Sequence, residues 1–116
     1  MNKEEWKPVR GFEDYYEASS HGRVRSRDRL IIKSNGTIIR RKGVILTPTV
    51  NKNVGFLQVM LHRHMQHKLC YVHRLVCEAF IDNPNDYDQV THINGEKTDN
   101  RPENLKWVGK NKRTKK

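Results

Sequence analysis

One histidine followed by three asparagines is the arrangement in this sequence best suited to chemistry. His92 lies near the end of a short apolar segment, and Asn94, Asn100 and Asn104 follow it in a polar loop. A neutral imidazole can take a proton from water at about pH 7, provided that a hydrogen bond to its second nitrogen fixes the tautomer. A histidine held in this way can therefore activate water as a base.

A structural role is the alternative for each of these residues. An isolated histidine on a strand is more often a hydrogen-bonded structural residue than a base. Asn104 could simply cap the loop, because asparagine bonds readily to nearby backbone. Asn94, Asp99 and Asn100 are common turn residues, and we assign them to loop geometry.

A hairpin and a helix must hold this loop in place. Residues 90–93 and 105–108 are rich in apolar side chains and flank the loop, so they predict two strands of a long-looped hairpin. From His73 onward the apolar residues fall at helical spacing, and Asn83-Pro84-Asn85 ends the helix.

The preceding residues, 15–72, predict one small antiparallel sheet. Residues 15–26 predict two short strands joined by a tight turn. Asn35-Gly36 lies between two β-branched runs and supplies the positive φ angles of a hairpin turn. Residues 56–62 and 68–72 predict a further pair of strands.

The charge of the chain is concentrated in its middle. The formal net charge is +10 over 116 residues, and residues 23–77 hold 12 Lys and Arg against one acid, Asp28. Acidic residues are almost excluded from a stretch that predicts sheet, which favours a nucleic-acid partner over a merely solvated surface. Arginines with period two in a single strand would share one face as a basic ladder. The run with this period comprises Arg23, Arg25, Arg27 and Arg29.

Composition argues against several other classes of protein. The sequence shows no apolar run long enough to span a bilayer, no amphipathic helix suited to a membrane surface and no signal peptide. Cys70 and Cys77 are too few to form a zinc site on their own, and we expect both thiols to be reduced in the cytoplasm. At this length we expect one compact unit with a modest core.

The stretch from His92 to Val108 resembles the His-Asn-His (HNH) motif of homing and phage endonucleases. Its most specific part is DNRPENL at residues 99–105, followed by Trp107-Val108. Residues 6–26, from WKPV to GRVRS, look like the NUMOD4 module that often precedes this motif. The segment from His73 to Phe80 is similar to the helix between them, so the resemblance covers nearly the whole chain.

The resemblance implies an α+β fold and a DNA-cutting activity. The implied order is a small antiparallel N-terminal sheet, a helix, and then a ββα-metal (His-Me finger) HNH motif with a short final helix. Residues 1–72 would form a NUMOD4-like basic DNA-binding module. Residues 73–116 would form the HNH nuclease motif with a basic C-terminal tail. The implied reaction is metal-dependent hydrolysis of DNA phosphodiester bonds.

In that family His92 corresponds to the general base, and Asn104 to the middle asparagine that holds the loop and orients the histidine. A single divalent ion, Mg²⁺ or Mn²⁺, would offset the charge that develops on the phosphate. The resemblance places its ligands at position 91, here Thr91, and at position 113, here Arg113, with Asn111 as the nearest substitute. Threonine is a poor ligand for a hard divalent ion compared with a carboxylate.

The implied partner is double-stranded DNA. A β-ribbon can enter the major groove, with arginines at base edges and lysines at phosphates. The chain would act as a monomer or a homodimer, and one active site per chain would nick one strand. The candidate DNA-binding residues are Arg23, Arg25, Arg27, Arg29, Arg40, Arg41, Lys42, Lys110, Lys112 and Arg113.

Two other functions fit part of the sequence. A protein that kept the DNA-binding sheet and lost the metal would act as a repressor or competitor. An RNA-binding protein like those of the ribosome would explain the charge, but it would not explain His92 together with Asn104. A phage-encoded chain would work in the cytoplasm of the host cell.

Overall fold

The N-terminal sheet is built around a tight turn. The structure is a computed structural model that describes residues 3–63 and 65–109. Ser19 is buried at the end of the second strand, and its hydroxyl accepts hydrogen bonds from the backbone N–H groups of His21 and Arg23. This turn brings the third strand back alongside the second, which confirms the two short strands predicted here. The antiparallel sheet has the order β1 (Trp6–Pro8), β2 (Tyr16–Ser19) and β3 (Val24–Ser26).

A separate hairpin follows. Strands β4 (Arg29–Ile32) and β5 (Ile38–Arg41) pair with each other in antiparallel register. Gly36 in the connecting turn has a φ of 87°, in the left-handed region that favours glycine. The hairpin predicted from Asn35-Gly36 is therefore confirmed.

A third small sheet contains the longest strands. Its order is β6 (Thr49–Val50), β7 (Leu57–Arg63) and β8 (Gln66–Tyr71), with antiparallel pairing throughout. The predicted strand pair at residues 56–72 is confirmed, but the prediction of one sheet over residues 15–72 is wrong. Hydrophobic alternation identifies strands without identifying their partners. Here the chain forms three separate sheets in this stretch.

The predicted arginine ladder is also wrong, because Arg25 and Arg29 belong to two different sheets, and Arg23 and Arg27 lie outside the strands. Arg25 lies in β3 and Arg29 lies in β4. Between them the chain leaves the first sheet at Asp28, whose carboxylate accepts a 2.7 Å hydrogen bond from the backbone N–H of Gly43. A change of sheet breaks the period of two, so the side chains do not share one face.

The helix and the last hairpin lie where the sequence predicts them. Helix α1 (Val72–Phe80) begins directly after β8, and β9 (Gln89–His92) pairs antiparallel with β10 (Leu105–Val108). A short 3-10 turn at Pro102–Asn104 brings Leu105 opposite His92. The predicted short final helix falls outside the described residues.

One hydrophobic core joins the N-terminal sheet to the last hairpin. Helix α1 contacts β1, β2, β7 and β10, so it lies between the two halves of the chain. The indole N–H of Trp107 donates a 3.1 Å hydrogen bond to the carbonyl of Ile81, which fixes β10 to the end of the helix. In the described part of the chain no helix is long and apolar enough to cross a membrane. The core residues are Val9, Tyr16, Ala18, Val24, Val59, Leu61, Val72, Leu75, Val76, Cys77, Leu105 and Trp107.

Candidate active site

His92 is enclosed by two aromatic rings and an amide. It is the last residue of β9 and is 9% exposed. The ring of Phe56 stacks on it with centroids 5.6 Å apart and an angle of 17° between the planes. The ring of His73 meets the His92 ring edge-on, with centroids 5.0 Å apart, and Nε2 of His92 lies 2.8 Å from Oδ1 of Asn100. These contacts hold the imidazole on three sides.

The contact with Asn100 determines which nitrogen of His92 can act as a base. An amide oxygen can only accept a hydrogen bond, so Nε2 carries the proton in this arrangement. The neutral ring then presents the lone pair of Nδ1, and no described residue forms a hydrogen bond with that atom. One nitrogen held and the other available is the arrangement that a general base requires.

Asn100 is a site residue that the sequence analysis did not predict. The sequence assigns it to loop geometry as a common turn residue, whereas its side chain is 2% exposed and bonds to His92. Its Nδ2 is buried and has no hydrogen-bond partner among the described residues. The sequence feature that could have identified Asn100 is its position between Asp99 and Arg101. These two side chains pair on the outside of the loop, and the side chain between them is buried.

Asn104 holds the loop and does not touch the imidazole. Its Oδ1 accepts a 3.0 Å hydrogen bond from the backbone N–H of Asn94, and its Nδ2 donates to Oδ1 of Asn94 at 2.9 Å. Nδ2 also donates to the carbonyl of Asp99 at 2.9 Å. The side chain thus ties together the beginning and the middle of the loop. Any influence on His92 passes through the loop that carries Asn100.

An ion pair closes the outer edge of the same loop. The guanidinium of Arg101 donates two hydrogen bonds of 2.8 Å to the carboxylate of Asp99. Arg101 thereby lowers the pKa of Asp99 to about 2, with a smaller contribution from Asn94. Asp99 is therefore charged at neutral pH and engaged in the loop.

A second histidine borders the site. His73 is 7% exposed, and its ring lies 4.7 Å from that of Phe56 and 5.3 Å from that of Tyr71. Burial lowers the pKa of His73 from 6.5 to about 4, with smaller contributions from His92 and Arg74. At neutral pH His73 is therefore uncharged and adds no positive charge beside His92.

Because of His73, we expect the protein to lose stability as the pH falls from about 6.5 to about 4. In this window the unfolded chain binds a proton on His73 and the folded chain does not, so acid favours unfolding. A pKa difference of this size corresponds to about 3 kcal/mol. Urea unfolding measured across this pH range should show the decrease, and His73→Phe should flatten it. An unchanged pH dependence in His73→Phe would assign the effect to another group.

The described residues do not provide a divalent-metal site beside His92. Thr91 is exposed and offers only a neutral hydroxyl, and the residue opposite it on β10 is Lys106, whose ammonium repels a cation. Within residues 3–63 and 65–109, no three His, Cys, Asp or Glu side chains lie close enough to hold a metal ion. The other two predicted ligand positions, Asn111 and Arg113, lie outside the described residues.

Two of the candidate DNA-binding arginines are paired within the protein. Arg23 forms an ion pair with Glu4, which lowers the pKa of that carboxyl to about 2. Arg25 donates hydrogen bonds of 2.9 and 2.8 Å to Glu17, and its guanidinium lies 4.0 Å from the ring centroid of Trp6. Both guanidinium groups thus have acidic partners, Glu4 just before β1 and Glu17 on β2.

The remaining candidates differ in how freely they face solvent. Arg27 donates a 2.9 Å hydrogen bond to the carbonyl of Glu13, and Arg29 lies over the ring of Tyr15 at 5.3 Å. On β5, the side chain of Arg40 is 76% exposed with Asp28 at 3.7 Å. Arg41 and Lys42 are also exposed. The candidates Lys110, Lys112 and Arg113 lie outside the described residues.

Two known protein families match successive parts of the chain. The NUMOD4 motif matches residues 4–62, and the HNH endonuclease family matches residues 70–114. The chain therefore belongs to the NUMOD4 family, and its second half matches the HNH endonuclease family. This confirms the family expected from the sequence.

Its relatives include phage and viral endonucleases. Over 104 residues the chain is 32% identical to DNA endonuclease I-HmuI of Bacillus phage SP01. The match covers 90% of this chain and 52% of that protein. Two uncharacterized HNH endonucleases of Acanthamoeba polyphaga mimivirus are each 35% identical, over 67% and 89% of this chain and 23% of each relative. A solved structure of the HNH homing endonuclease I-HmuI matches with a TM-score of 0.69 at 30% identity, over 90% of this chain and 52% of the other. The chain thus spans about half of the length of I-HmuI and less of the viral relatives.

Proposed function

We propose that this protein binds double-stranded DNA and hydrolyses its phosphodiester bonds, with His92 as the general base. The observation that carries the proposal is the 2.8 Å contact from Nε2 of His92 to Oδ1 of Asn100. It leaves Nδ1 as the proton acceptor. The relationship to I-HmuI, a DNA endonuclease, supports the same substrate and reaction.

In this mechanism His92 takes a proton from the attacking water at Nδ1. The amide oxygen of Asn100 faces the Nε2–H group, so it stabilises the positive charge that the ring acquires. Phe56 and His73 keep the ring in a fixed orientation. Asn104 holds the loop in the conformation that places Asn100 beside the base.

We assign DNA binding mainly to a NUMOD4-like module over residues 1–72, and cleavage to an HNH motif over residues 73–116. The exposed guanidinium and ammonium groups of Arg40, Arg41 and Lys42 suit contacts with phosphates or base edges. The basic residues after position 109 would add nonspecific affinity. One site per chain would nick one strand unless two chains act together, and the reaction would take place in the cytoplasm of a host cell.

A DNA-binding protein without cleavage activity is the second candidate function. The observation that favours it is the neutral Thr91 opposite Lys106, where the family would need a metal ligand. A nuclease of this family would require Mg²⁺ or Mn²⁺, and within the described residues no three His, Cys, Asp or Glu side chains lie together to hold one. Such a protein would act as a repressor or competitor at the same DNA.

Plasmid cleavage and DNA affinity, measured in parallel, separate the two functions. We expect supercoiled plasmid to be converted to nicked circles with Mg²⁺ or Mn²⁺ and to stay supercoiled with EDTA. DNA affinity from gel shifts should fall steeply with salt, because basic residues displace counterions from the phosphates. Plasmid that stays supercoiled at saturating protein would contradict the nuclease and support the second candidate. Absence of DNA binding would contradict both.

A further inference from the structure

A glycine in the N-terminal sheet touches the loop that carries Asn100. Gly22 lies in the turn between β2 and β3 and has a φ of 82°. A Cβ atom at this position would lie 2.8 Å from the carbonyl carbon of Asn100 and 2.9 Å from its oxygen. The neighbour is backbone, which cannot swing aside as a flexible side chain can. Only glycine therefore fits between this turn and the loop.

The turn that contains Gly22 is itself firmly held. The backbone N–H of Gly22 donates a 3.0 Å hydrogen bond to the carbonyl of Ser19, whose hydroxyl accepts two further bonds within the turn. The neighbouring Ser20 and Glu5 exchange two hydrogen bonds of 2.8 Å. The turn is thus a rigid support for the backbone of Asn100.

A second N-terminal segment holds the same loop from another side. The ammonium of Lys97 donates a 2.8 Å hydrogen bond to the carbonyl of Val54 and lies 5.4 Å from the ring centroid of Phe56. Phe56 in turn stacks on His92. The loop that carries Asn100 and the ring of His92 therefore both contact residues of the N-terminal segment, before position 62.

We propose that Gly22 is a positioning residue for the reaction. The turn around Gly22 sets the backbone of Asn100, and Asn100 sets the tautomer and orientation of His92. The N-terminal module thus completes the active site in addition to binding DNA. This inference rests on the proposed function of His92 as a general base.

The test compares Gly22→Ala with Gly11→Ala in the full chain. Gly11 has a φ of 86°, so alanine strains the backbone similarly, but nothing lies within 4 Å of a Cβ there. The nitrogen chemical shifts of the His92 imidazole report its tautomer. We expect a single Nε2–H tautomer in the wild type and in Gly11→Ala, and a mixture of tautomers in Gly22→Ala. The cleavage rate of Gly22→Ala should fall about 10²-fold with unchanged DNA affinity, as expected for a misplaced catalytic group.

Ser19→Ala keeps the test decisive if Gly22→Ala does not fold. It removes the hydroxyl that organises the turn and adds no atoms near Asn100. A folded Gly22→Ala or Ser19→Ala protein with the wild-type tautomer would overturn the inference, and so would an Nδ1–H tautomer in the wild type. The tautomer is measured without DNA cleavage. A wild type that holds the Nε2–H tautomer but leaves plasmid intact would therefore contradict only the proposed function.

Discussion

Replacing His92 with alanine will slow DNA cleavage by about 10²- to 10⁴-fold, the range observed when a general base is lost. The imidazole of His92 presents its Nδ1 without a hydrogen-bond partner among the described residues, and water alone is a much weaker base. DNA affinity should stay unchanged, because His92 is only 9% exposed and adds little to any binding surface. Initial rates of plasmid nicking and dissociation constants from gel shifts measure the two effects separately.

His62→Ala is the matched control for this experiment. His62 is also a strand histidine, but it is exposed on β7 and its ring neighbour is His67 at 6.0 Å. The His62→Ala variant should cleave DNA at the wild-type rate. Cleavage retained by a folded His92→Ala protein would remove His92 from the role of base.

Replacing Asn100 with leucine should reduce the cleavage rate about 10²-fold, because the ring then loses the acceptor that fixes its tautomer and orientation. Leucine has a similar size, so the loop keeps its packing while the hydrogen bond to Nε2 is lost. DNA affinity should again be unaffected, since Asn100 is 2% exposed. The rate and the affinity are measured on the same plasmid substrate.

Asn100→Asp distinguishes loss of an acceptor from loss of packing. A carboxylate still accepts a hydrogen bond from Nε2, so this variant should cleave DNA faster than Asn100→Leu at alkaline pH. The negative charge favours the protonated imidazole, so the pH profile of cleavage should move to higher pH. If Asn100→Asp and Asn100→Leu lose activity equally at every pH, Oδ1 of Asn100 is not the partner of a protonated Nε2.

Features that depend on a few neighbouring residues were predictable from the sequence. Asn35-Gly36 specified its hairpin because a tight turn is decided by residues that can adopt positive φ. The helix over residues 72–80 followed from apolar spacing, and the strand that ends at His92 followed from the apolar residues before the loop. Each of these depends on a period or a turn that lies within a short window.

Features that depend on distant partners were not predictable in the same way. The arginines of the supposed ladder change sheet at Asp28, and Arg23 pairs with Glu4, which lies 19 residues earlier. The role of Asn100 depends on a loop closing over His92 and on Gly22, far earlier in the chain, supporting that loop. A pattern of residue types carries no information about such contacts until the chain has folded.

The shared core around α1 limits how the two motifs can be exchanged between proteins. Val72, Leu75 and Val76 are buried where α1 packs between the first sheet and β10. Grafting residues 70–109 onto another recognition module would uncover this apolar face and favour aggregation. Recombination between proteins of this family would therefore succeed only when the incoming module packs against the helix and supplies its own glycine beside Asn100.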